Sequence, residues 1–122
     1  NMAFLAGFAT YGVWYLYFLL WLLPSMTWFL FISRLRNIGE HACVADNDDR
    51  LRNTRTTHAS WLERMFIAPY WVNYHLEHHL LVSCPCYRLR RAHRILIAGG
   101  HGTAMDLQPS YAHVIRLATA TV

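Results

Sequence analysis

His75, His78 and His79 form an H-x-x-H-H pattern inside residues 70–82 (YWVNYHLEHHLLV). With about 3.6 residues per helical turn, positions i, i+3 and i+4 share one face, so the three imidazoles can converge on one point or on two adjacent points. Neutral imidazole binds iron, zinc, copper and nickel, and the spacing alone selects none of them. A lone histidine is more often a packing or surface residue than a ligand. Three so close together concentrate positive charge when protonated, and no acidic run lies nearby to neutralise them. Metal ligation is therefore the reading of this cluster. Glu77 lies between His75 and His78, so the pattern is neither H-E-x-x-H nor H-x-x-E-H, and the zinc-protease helices are disfavoured.

A further histidine, His41, follows Asn37 by four residues, which puts both on one face of a helix. Alone, His41 reads as an interfacial polar residue. Beside the triple it is expected to be a further ligand, with Asn37 acting through a bound water or from just outside the coordination sphere. His58, His93, His101 and His113 are scattered singly.

The elements that must position these groups begin with an apolar block. Asn1 to Ser33 contains no charged residue, and a helix needs ~20 mostly apolar residues to cross a bilayer. Residues 3–23 are apolar all round, as expected for a helix surrounded by lipid or protein. Pro24 marks a kink or the start of a second helix. From Ser25 one long helix is expected to leave the membrane and end near His41. Arg34 and Arg36 at its end place that side in the cytoplasm by the positive-inside tendency. Residues 45–57 (ADNDDRLRNTRTT) read as a polar, solvated loop. Its Asp46-Asn47-Asp48-Asp49 run lacks the glycine and distal glutamate of an EF-hand loop. Helices are expected over 59–66, 70–82, 87–97 and 109–120, with Gly99-Gly100-His101-Gly102 as a flexible hinge. This gives an all-α, membrane-embedded helical domain with a cytosolic helical cap, forming part of a domain. Its regions are 1–33 (transmembrane), 34–98 (histidine region) and 99–122 (tail).

Composition narrows the function classes. The chain has 122 residues, enough for one domain, of which 55% are hydrophobic and 15% aromatic, a heavy load for a small soluble core. All eleven basic residues are arginine and the net charge is only +4, which does not call for nucleic acid. Arg88, Arg90, Arg91 and Arg94 cluster beyond the histidines and suit lipid headgroups, an acidic electron donor or an acidic acyl carrier, with headgroups favoured. Cys43, Cys84 and Cys86 read as free thiols in a reducing compartment. The opening residues lack the basic region and cleavage site of a signal peptide, so the chain is expected to start in mid-protein, as a C-terminal fragment.

Three segments in order, Arg34-Leu-Arg-Asn-Ile-Gly-Glu-His41-Ala, Asn53-Thr-Arg-Thr-Thr57 and Asn73-Tyr-His-Leu-Glu-His-His79-Leu followed by Cys84-Pro-Cys-Tyr-Arg-Leu, resemble the C-terminal third of bacterial membrane-bound fatty acid desaturases. The resemblance covers nearly the whole chain. It implies that His75, His78 and His79 are the third histidine box and His41 an additional ligand of a non-haem di-iron centre of two iron ions. Asn37 resembles an asparagine that holds a metal-bound water. It also implies an integral protein of the bacterial inner membrane with a cytoplasmic histidine face. The implied activity is an oxidoreductase that uses O2 and electrons, from a ferredoxin or a cytochrome b5-type donor, to desaturate a fatty acyl chain. The first two histidine boxes are absent, so this chain by itself is expected to be inactive. The alternatives are a related di-iron hydroxylase of alkyl or carotenoid substrates, and a non-catalytic zinc-binding membrane protein.

Overall fold

The computed structural model describes residues 1–120; Thr121 and Val122, the end of the expected 99–122 tail, lie outside the described residues. The chain is mostly helical and divides into two compact units, Asn1–Arg34 and Leu35–Val122.

In the first unit, helix α1 (Met2–Thr10) has no buried residue. It closes on Gly12, whose φ of 71° lets the Gly12 and Val13 amides donate back to the Ala9 and Phe8 carbonyls, a Schellman closure. The apolar block is thus broken near residue 12 and does not run as one helix over 3–23. A left-handed glycine ends the helix even where every neighbour is apolar. Phe4 packs on Trp21 with ring centroids 5.4 Å apart, and the Trp21 indole donates to the Asn1 side chain at 3.1 Å.

The helix long and apolar enough to cross a membrane is α2 (Tyr15–His41). Pro24 lies inside it. A proline has no amide to donate into the preceding turn, and the helix adapts with a π-helical stretch at Phe18–Leu22 and a distortion at Thr27. The Ser25 and Thr27 hydroxyls donate to the Trp21 and Leu23 carbonyls, taking up polar groups that the apolar faces leave without water.

The second unit is organised around a short buried strap. Thr54, Arg55, Thr56 and Thr57 are all at most 2% exposed, where a solvated loop was expected over 45–57. Strand β1 (Thr56–Thr57) pairs in parallel with β2 (Leu107–Gln108), and Thr56 forms a bridge with Tyr74. Thr and Arg are buried here with partners for most of their polar groups, although Arg55 Nη1 has no hydrogen-bond partner among the described residues. The Thr54 hydroxyl donates to the Glu40 carbonyl at 3.0 Å and the Arg55 guanidinium to the Ala42 carbonyl. Arg55 Nε also lies 3.3 Å from Asp106.

Four helices surround the strap. Helix α3 (Trp61–Phe66) starts at a reciprocal capping box between Ser60 and Glu63. The Glu63 carboxylate also accepts the Tyr111 amide at 3.0 Å, tying it to α6 (Tyr111–Ala120). Helix α4 covers only His75–Leu80, shorter than the expected 70–82. Residues 70–74 are taken up elsewhere: Tyr70 and Trp71 are left-handed, and Asn73 binds the strap through both its backbone oxygen and its side chain. Helix α5 (Leu89–Ala98) turns Leu89, Ala92 and His93 inward. The expected hinge at 99–102 is a left-handed Gly100 followed by a single 3-10 turn at His101–Thr103. The core joins Leu76, Leu89, Met105, Tyr111 and Val114. The Tyr111 ring lies on Gly39, where an added Cβ would come within 2.7 Å of it, so only glycine fits two residues before His41.

Candidate metal centre

Two elements carry the histidines. His41 is the last residue of α2, and His75 and His79 sit one turn apart on α4. Their separation along the chain is closed by the strap. The Leu76 amide donates to the Arg55 carbonyl at 3.3 Å, while Thr54 and Arg55 hold the end of α2 through Glu40 and Ala42. One buried segment therefore sets both ligand-bearing helices.

The Nε2 atoms converge. His75 Nε2 is 3.0 Å from His41 Nε2 and 3.0 Å from His79 Nε2, and one ring nitrogen from each of the three falls within 4.8 Å of the others. Three acceptor nitrogens have no reason to crowd in this way unless a proton or a cation sits between them. The donor set fits a first-row transition metal that accepts imidazole. His78 stands beside the trio, its ring centroid 5.8 Å from those of both His75 and His79, and does not join the convergence. Asn37 is exposed one turn before His41.

Burial pushes His75 down to about 3, helped by the positive charge that His79, His41, His78 and Arg36 would place beside it. His79 is lowered by burial and then by His41 and His78. Both are therefore neutral at physiological pH, the form in which imidazole can bind a metal. The sign follows from linkage: the folded values lie below the ordinary 6.5, so the unfolded chain takes up protons first as pH falls. The metal-free protein is expected to keep this contribution above about pH 6.5 and to lose it progressively towards pH 3. Thermal melts of the chelated full-length protein at about pH 7.5 and pH 5 check this. A melting temperature that stays level or rises on acidification contradicts it.

Two carboxylates brace the site from opposite sides, and neither was anticipated from the sequence. Glu40, 5% exposed, takes Arg36 at 3.3 Å on one oxygen and faces His75 Nδ1 at 3.7 Å with the other. A carboxylate behind a ligating histidine fixes the ring and its tautomer so that Nε2 points at the metal. Glu77, fully buried, accepts from the Thr56 hydroxyl and lies 2.6 Å from His93 Nδ1. His93, read as an isolated histidine, thus anchors the back of α4 to α5. The one signal for Glu77 was a charged side chain at an inward position beside Leu76. Tyr111 closes the group; burial first, and then the Glu40 charge, raise its phenol above the usual tyrosine value.

Cavities flank the histidines. One of about 210 Å3 is lined by Arg36, Val72, His75, His78, Cys84, Cys86 and Leu89, and another of about 260 Å3 by Arg50, Asn53, His79, Leu80 and Val82. The three cysteines are free. Arg88, Arg90, Arg91 and Arg94 are all exposed, away from the histidine trio.

The family model for fatty acid desaturases matches residues 1–108. Among curated proteins, a dihydrorhizobitoxine desaturase from Bradyrhizobium elkanii is 29% identical over 92 residues, covering 75% of this chain and 26% of the relative. The chain thus spans about a quarter of the length of the relative it matches. No solved structure matches it significantly.

Proposed function

This chain belongs to the fatty acid desaturase family, and from that premise we propose that its protein desaturates a fatty acyl chain in the membrane, using O2 and a histidine-ligated di-iron centre. The observation that carries the proposal is the convergence of His41, His75 and His79 from two separate helices. In this reading His75, His78 and His79 form the third histidine box. His41, His75 and His79 would hold one metal ion between them, and His78, beside the trio, would be available as a further ligand. Two irons need more ligands than four histidines provide, and the remainder come from protein outside this sequence. When bound, the metal supplies the reduction of O2 and the removal of hydrogen from an unactivated methylene.

The chain's own residues have simpler tasks. Glu40 faces His75 Nδ1 from 3.7 Å, outside direct hydrogen-bond reach, and Arg36 keeps that carboxylate in place. Glu77, Thr56 and His93 fix the helix on which the ligands stand. In the overall balance the substrate gives up two hydrogens with two electrons. A donor such as a ferredoxin or a cytochrome b5-type protein adds two more electrons, solvent adds two protons, and O2 leaves as two waters. Arg34 and Arg36 at the end of α2 support a cytoplasmic histidine face in a bacterial inner membrane.

The test is product analysis by mass spectrometry with the full-length protein, O2 and an electron donor. Loss of two mass units from a fatty acyl chain is the expected result, with close to two irons per protein. An added oxygen atom would point to a hydroxylase of alkyl or carotenoid substrates. Bound zinc without iron or O2 consumption would point to a non-catalytic metal protein. The name of the Bradyrhizobium relative gives dihydrorhizobitoxine as the compound it desaturates, so that compound belongs in the substrate panel.

A further inference from the structure

The charges of the second unit are separated along the chain. Between His78 and Met105 there is no aspartate or glutamate, while Arg88, Arg90, Arg91 and Arg94 all fall in that interval. All four are exposed, and among the described residues none is ion-paired. Arg90 lies over the Trp71 ring at 5.8 Å, which keeps it against the protein. Arg88 and Arg91 instead border an open apolar groove of about 520 Å3, floored by Leu81, Ala92, Ile95 and Leu96. Ile95, on α5, is 62% exposed there and Leu81, just past the end of α4, 44%, an unusual exposure for neighbouring aliphatic side chains.

An apolar trough with two guanidinium groups on its rim suits a molecule with a hydrocarbon body and an anionic head. Neither His41 nor any of the three box histidines lines it, so it is not where a substrate carbon would meet the metal. Guanidinium forks fit a phosphodiester in two-point fashion, and the zwitterionic choline headgroup offsets that attraction with its own cation. The chain also carries a helix of membrane-crossing length, which keeps bilayer lipid close at hand. We propose that the groove between Leu81 and Ile95 is a seat for an anionic phospholipid, whose phosphate is held by Arg88 and Arg91 and whose acyl chain lies on Ile95 and Leu96. An acidic protein would satisfy the arginines but leave the aliphatic floor uncovered. The assignment does not depend on the desaturase chemistry.

The test places a photoreactive benzophenone amino acid at position 95 of the full-length protein, in nanodiscs of equal phosphatidylglycerol and phosphatidylcholine. Mass spectrometry of the crosslinked peptide reads the lipid captured. Phosphatidylglycerol adducts should exceed phosphatidylcholine adducts by roughly fivefold for each arginine engaged. The excess should vanish in an Arg88→Gln/Arg91→Gln variant and shrink in the unmodified-arginine protein when salt is raised to about 1 M. The salt arm needs no variant to fold. Adducts in the bulk lipid ratio, or no lipid adduct, overturn the proposal. So does capture, in native membranes, of an acidic protein in place of lipid. Metal content and product formation are read separately, so failure here leaves the desaturase reading standing, and the reverse.

Discussion

Replacing His75 by alanine in the full-length protein is expected to cost more than about 100-fold in metal affinity and to abolish O2-dependent product formation. The scale comes from the neighbours of ligands: removing a group that merely orients a metal-bound histidine costs 10–100-fold, and a ligand must exceed that. His75 is central because its Nε2 lies 3.0 Å from both His41 and His79, whereas no such contact links His41 and His79 directly. Metal analysis of purified protein provides the measurement. His58→Ala is the control, since His58 is exposed and lies outside the trio. Equal metal loss in both variants would mean that the trio is not the binding site. Glu40→Gln should fall between them, because it keeps the side chain's shape beside His75 but carries no charge to hold Arg36.

The second large effect is expected at Glu77. Its carboxylate is fully buried and bonded to Thr56 and His93. Glu77→Leu strands a buried hydroxyl and a buried imidazole, and breaking a buried pair in this way costs about 3–5 kcal/mol. Glu77→Gln keeps an acceptor for one of the two donors and should lose clearly less. Thermal unfolding of the full-length protein in detergent separates the cases. Equal melting temperatures for the leucine variant and the natural protein would show that the pair does not brace α4. A double-mutant cycle with His93→Ala sharpens the result: most of the Glu77 effect should disappear once His93 is gone, because the two groups share one interaction.

The buried strap explains why a site built from such distant residues can be rigid. Besides their direct contact, His41 and His75 are tied together through segments that meet on residues 54–57. Arg55, 1% exposed, reaches both Ala42 and Asp106. A buried polar network specifies one arrangement when every member is satisfied. Here most are; the Asn73 amide oxygen and the Tyr111 hydroxyl have no partner among the described residues, and both lie within this same network of strap and helix ends.

The family and the candidate histidine cluster were legible in the order of residue types. H-x-x-H-H at helical spacing, a preceding Glu-His-Ala and an uncharged first third are local patterns, and helix periodicity turns them into faces without further information. The capping box at Ser60 and Glu63 was equally local. What the amino-acid order could not decide was which polar residues go inside. Thr54 to Thr57 have the composition of a loop, and they are buried because partners at Glu40, Ala42, Asn73, Glu77 and Asp106 arrive from elsewhere in the chain. The same holds for Glu77 and His93, whose pairing spans sixteen positions. It holds too for the choice of His41, His75 and His79 over His78 as the converging trio. Spacing places three rings on a face, but the point where they meet is set by the helix end that faces them, and only tertiary packing brings that end into position.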